Sequence, residues 1–112
     1  MAYFYAWETK TLSIGLKNKQ GEYDPEILND YKEIIISIKQ PSCQIDIREV
    51  DVDTEQGILS IHLDQEQTSI FKKGKARIQV NIYYNNEERD TSVEGEIEVR
   101  ENLYQKVMNG ND

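Results

Sequence analysis

Between Lys75 and Arg100 the chain alternates with a period of two on both sides of a polar turn. Ala76, Ile78, Val80, Ile82 and Tyr84 interleave with Lys75, Arg77, Gln79, Asn81 and Tyr83. After Asn85-Asn86-Glu87-Glu88, Val93, Gly95, Ile97 and Val99 interleave with Glu94, Glu96, Glu98 and Arg100. Alternation of this kind predicts a half-buried antiparallel hairpin, Lys75 to Tyr84 against Arg89 to Arg100. Its wet face carries a register cue, because Lys75 and Arg77 fall opposite the acidic row Glu94, Glu96 and Glu98. A lone hairpin is not stable in water. The rest of the chain must therefore cover Ile78, Val80, Ile82, Val93, Ile97 and Val99.

The remaining segments have the rhythm to do so. Leu12, Ile14 and Leu16 alternate with Thr11, Ser13, Gly15 and Lys17, and Ile34, Ile36 and Ile38 share one face of a β-branched run from Glu33 to Gln40, with Ile35 opposite. Pro41-Ser42 turns the chain into Ile45 and Ile47. At Glu49 to Asp53 the parity slips by one residue, which predicts a β-bulge. Leu59, Ile61 and Leu63 then point inward, leaving His62 and Ser60 outside. The run from Asn18 to Asp30 reads as a long loop in which Asp24, before Pro25 and Glu26, caps a single helical turn. Asp64 to Lys73 reads as a crossover with one helical turn, whose Ile70 or Phe71 plugs the core. Glu101 to Met108 suggests a short amphipathic turn, and residues 109–112 a flexible tail.

These short strands predict an all-β chain, an immunoglobulin-like antiparallel β-sandwich of about seven strands, with a small β-barrel as the alternative. One domain is expected over residues 1–108.

Composition narrows the function. The chain has 112 residues and a net charge of −8, with 21 acidic against 13 basic residues. That balance argues against nucleic acid and anionic membrane as partners, because both require a basic patch. Cys43 is the single cysteine, so no internal disulfide forms, and an intracellular origin is expected. The first twenty residues read as neither signal peptide nor membrane span. Asp51, Asp53 and Glu55 precede Gly57 without the spacing of a calcium loop, and read as a solvated acidic turn. Cys43 and His62 show no partner that would make them a nucleophile and its base. No catalytic residue, cofactor or metal site is expected.

The run Leu63-Asp64-Gln65-Glu66-Gln67-Thr68, then Phe71, Gly74-Lys75-Ala76, Gln79-Val80, and Glu98-Val99 with Leu103, resembles small prophage-encoded β-sandwich proteins. It is similar as well to the N-terminal domain of siphophage upper baseplate proteins. The similarity covers about residues 63 to 103. It departs in the hairpin turn, where those proteins usually have glycine and this chain has Asn85-Asn86-Glu87-Glu88-Arg89. The resemblance implies a structural or assembly role in a phage tail, baseplate or capsid surface, through contacts with other virion proteins or with itself. It places the protein in the bacterial host's cytoplasm during assembly, and in the virion.

The residues that point to such contacts are aromatic. Tyr3, Phe4, Tyr5 and Trp7 crowd the first seven positions, and Tyr83 faces outward on the hairpin. Such a cluster is either an edge strand packed on the sandwich or an exposed platform. Tyr3, Tyr5, Trp7 and Tyr83 are the candidate partner-binding residues. The alternative function is a carbohydrate-binding or adhesive module that stacks sugars on those rings.

Overall fold

A computed structural model describes residues 2–17 and 20–108, without the side chains of residues 92–94. Expectations for the Val93 and Glu94 side chains and for the tail at 109–112 lie outside the described residues. Strands β1 (Tyr3–Tyr5), β2 (Lys10–Gly15), β3 (Tyr31–Gln40), β4 (Cys43–Ile47), β5 (Asp51–Asp53), β6 (Ile58–Leu63), β7 (Gly74–Tyr84) and β8 (Arg89–Arg100) form two sheets, and helix α1 (Gln65–Ser69) links β6 to β7.

The larger sheet runs β1-β8-β7-β3-β4 and the smaller β2-β6-β5. Ile34, Ile36, Ile38, Val80, Ile82, Ile97 and Val99 from the first meet Leu12, Leu59, Ile61 and Leu63 from the second in one core. The smaller sheet corresponds to the B-E-D strands of an immunoglobulin-type sandwich, and β8-β7-β3-β4 to its G-F-C-C′ strands. The fold is thus an all-β, immunoglobulin-like sandwich, with eight strands among the described residues where about seven were expected.

The hairpin forms as its alternation predicts. Lys75 faces Glu98 and Arg77 faces Glu96, while Lys75 Nζ also reaches Glu96 Oε2 diagonally at 3.6 Å. The turn solves its geometry without glycine. Glu87 adopts φ 69°, and the backbone amides of Tyr84 and Glu87 donate to the carbonyls of Glu88 and Tyr84.

Three expectations need correction. The parity slip near Glu49 is not a bulge: β4 ends at Ile47 in the larger sheet, and β5 begins at Asp51 in the smaller one. Crossing between facing sheets puts the core on the opposite side of the strand, so Val52 turns inward on the parity that polar residues held in β4. An actual register shift lies in β8 instead, between the Val80 and Asn81 pairings. The sandwich is also not wholly antiparallel, because β1 pairs parallel to β8, with Tyr3 opposite Glu98 and Tyr5 opposite Arg100. Finally, residues 101–108 form no helical turn. The Gln65 amide anchors them to α1, accepting from Met108 N at 2.7 Å and donating to Met108 O at 2.8 Å.

The two loops behave as read. Pro25–Leu28 is a 3-10 turn, with the Asp24 carboxylate accepting from Glu26 N. In the crossover, Asp64 and Gln67 cap α1 reciprocally, and Phe71 is the residue that plugs the core, leaving Ile70 exposed. No described helix is long and apolar enough to cross a membrane.

Candidate functional site

Strand β1 divides its aromatic residues between the core and the surface. Phe4 points inward and is fully buried, its ring meeting Phe71 edge-on at 5.7 Å. Alternation then forces Tyr3 and Tyr5 outward, where their rings stand edge-to-face at 6.1 Å. The Arg100 guanidinium lies 3.6 Å from the Tyr3 ring centre, and Lys10 Nζ approaches the same ring at 5.2 Å. The Tyr5 oxygen first, and Glu98 second, hold Arg100 more firmly in its charged form. Tyr3 is therefore a ring already engaged by cations, and less open to stacking than a bare aromatic.

Trp7 follows β1 at φ 71° and packs, half-buried, against the core. The adjoining Glu8 fastens this turn twice, its carboxylate accepting from Tyr5 N at 2.7 Å and its carbonyl from the buried Thr68 hydroxyl at 2.8 Å. Tyr83 lies elsewhere. It pairs with Arg89 at the opposite end of β8, roughly 30 Å from Tyr3 and Tyr5 at the usual rise per strand residue, with Lys32 over its ring at 5.6 Å. The fold brings Tyr3, Tyr5 and Trp7 to one end and separates them from Tyr83.

That end carries more than the first strand. Among the described residues the exposed large hydrophobic side chains are Tyr3, Tyr5, Ile70, Leu103, Tyr104, Val107 and Met108. Connectivity places all of them where β8 ends, β7 begins and α1 sits. Leu103 is 95% exposed and Met108 63%. A gathering of large exposed hydrophobic side chains is a common sign of an interaction surface. The residues after Arg100 were missed as site candidates because a helical reading would have hidden their apolar side. The usable signal was the run of large side chains Leu103, Tyr104, Val107 and Met108 after the last predicted strand.

His62 lies on the outer face of the smaller sheet and has partners that only strand register reveals. Thr11 pairs across from it, with Thr11 Oγ1 2.8 Å from its Nδ1, and Asp51 Oδ2 lies 3.1 Å from its Nε2. With Nε2 protonated, the imidazole donates to Asp51 and accepts from the Thr11 hydroxyl, the order of a hydroxyl, base and orienting carboxylate. The His62 and Asp51 side chains are 67% and 76% exposed. In that setting solvent screens the carboxylate's field, so the arrangement acts as a polar tie across β2, β6 and β5. Asp53 is engaged in its own turn, accepting from Glu55 N and Gln56 N. No cluster suited to a metal ion occurs among the described residues. Cys43 is half-buried, its thiol 3.8 Å from Gln40 Oε1.

No protein-family model matches the chain. No curated protein matches it significantly either.

Proposed function

We propose that this protein is a non-enzymatic structural or assembly module of a phage or prophage particle, in its tail, baseplate or capsid surface, and that it works by protein–protein contact. The observation that carries the reading is the gathering of exposed apolar side chains at the α1 end. The resemblance over residues 63 to 103 supplies the phage context, and the sandwich supplies a rigid body on which such a contact is held. The partners are other virion proteins and further copies of the chain, met in the host cytoplasm and retained in the particle. Tyr3, Tyr5 and the segment from Leu103 to Met108 form the contact, and Trp7 supports them from below.

A photo-crosslinking residue at position 104, in cells producing the particle, tests this. The expected result is a crosslink to a tail, baseplate or capsid protein or to a second copy, lost in the Leu103→Glu variant. Absence of the chain from purified particles and from assembly intermediates would overturn the reading.

A further inference from the structure

Strand β1 is held by contacts that do not depend on which copy of the chain supplies it. Its backbone runs beside β8 from Ala2 O, which accepts from Glu98 N at 3.1 Å, to Ala6 N, which donates to Arg100 O at 3.0 Å. Between them Phe4 is the one large side chain that enters the core, followed by the small Ala6. Outside, the Arg100 guanidinium lies over the Tyr3 ring. These partners belong to β8 and, for the Phe4 ring, to Phe71. The β8 slot of a second, identical chain offers the same set.

What differs between the two slots is the hinge. Trp7 to Thr9 alone join Ala6, beside the larger sheet, to β2 at the edge of the smaller one. To turn back within that length the chain places Trp7 at φ 71°, a conformation that a bulky side chain adopts only under strain. Glu8 closes the turn, its amide donating to Tyr5 O at 3.3 Å and its carboxylate accepting from Tyr5 N at 2.7 Å. A short, strained hinge beside a strand with a single large core anchor is an arrangement that invites exchange between copies.

We propose that β1 is an exchangeable strand: residues 2–6 of one copy leave their slot and take the same place along β8 of a second copy, which returns its own strand. In the exchanged dimer the hinge runs extended and Trp7 leaves the left-handed region, while the Phe4 site and the β8 pairing are refilled in trans. Concentration sets the balance. A strand on so short a tether meets its own slot at an effective concentration in roughly the millimolar range, so dilute protein stays closed and crowded copies exchange. Phe4 must leave the core first, so folded copies trade strands only slowly. The contact uses β1 and β8 and does not depend on the segment from Leu103 to Met108.

Two single-cysteine chains test the exchange, both carrying Cys43→Ser together with Leu103→Glu and Tyr104→Glu, so that the α1 end adds no contact. One has Tyr3→Cys and the other Glu98→Cys, positions that face each other across β1 and β8. Neighbouring strands lie about 4.8 Å apart, a spacing that a disulfide spans. Unfolded together, refolded at about 1 mM and oxidised briefly, the two chains are expected to give a disulfide-linked heterodimer with a native amide spectrum. Chains folded separately and then mixed at the same concentration should give about tenfold less, because exchange requires opening. Inserting Gly-Ser-Gly-Ser after Trp7 lets the closed turn form without strain and should lower the yield about threefold or more. Glu8→Ala, which releases Tyr5 N, and a chain lacking Trp7, whose hinge is too short to turn back, should both raise it. No heterodimer after joint refolding, an equal yield from chains folded apart, or a yield that the longer hinge leaves unchanged would each overturn the proposal. Should the chain lacking Trp7 fail to fold, the longer hinge and Glu8→Ala still decide.

Discussion

Glu87 holds a left-handed conformation at φ 69° in the hairpin turn, a position where a side chain costs about 1–2 kcal/mol. Glu87→Gly removes that strain but loosens the unfolded chain, so a net gain of roughly 0.5 kcal/mol is expected in denaturant melts. Gly57 is the opposite case, with φ 67° and the Tyr23 ring lying where a Cβ would stand. Tyr23 in turn donates its hydroxyl to Thr54 O at 2.6 Å. Gly57→Ala is therefore expected to destabilise by roughly 2–4 kcal/mol, from backbone strain plus the displaced ring and its hydrogen bond. In a Tyr23→Ala background the same change should cost less, since only the strain remains, and additive melts would show that the ring is not the obstacle. Asp46 carries a pH dependence. Hydrogen bonds from Ser37 and then Gln44 hold its carboxyl below the ordinary range, so the unfolded chain binds this proton more readily than the folded one. Its stabilisation is complete above the unfolded pKa and is lost as pH falls through the lower, folded value. The difference in melting temperature between the protein and Asp46→Asn should accordingly shrink as pH is lowered from about 5 to about 2.

At the scale of elements, legibility followed the hydrophobic period. β3, β6, β7 and β8 were readable because each keeps one face in the core along its length, and alternation reports that directly. The β4 to β5 passage was misread for a physical reason: a bulge and a change of sheet both invert parity, and only the partner strand distinguishes them. β1 was readable as an edge strand, but its parallel pairing with β8 was not, since three residues carry no signal of direction. The candidate site was half legible. Tyr3 and Tyr5 are outward, whereas Trp7 packs inward and Tyr83 belongs to a different surface. Phe4 makes β1 part of the core, so Phe4→Ala is expected to cost roughly 3–5 kcal/mol. Val80→Ala, at the centre of the hairpin's buried face, should cost roughly 1–4 kcal/mol. Chemical denaturation midpoints check both, and an unchanged midpoint for Phe4→Ala would show that β1 is only loosely attached.

For the whole molecule, the question is what meets the α1 end. The described residues extend over 46 × 28 × 24 Å, and their large exposed hydrophobic side chains belong to β1, to the residue after α1 and to the segment after β8. Burying such a surface against a second copy removes it from water, at a gain proportional to its area. The net charge of −8 opposes the approach of two copies, and salt screens that repulsion. Self-association through this end is therefore expected to strengthen, not weaken, as salt is raised. Removing the first eight residues would not test this, because it also removes Phe4 and Ala6 from the core. Leu103→Glu with Tyr104→Glu is the cleaner change, since both side chains are exposed and no strand depends on them. In sedimentation at about 100 μM and 0.15–0.5 M salt, the unaltered protein should form dimers or larger species while the double variant stays monomeric with an unchanged melting temperature. A protein that remains monomeric at every salt concentration would show that the α1 end is reserved for a different partner, and an oligomer that survives both substitutions would place the contact elsewhere.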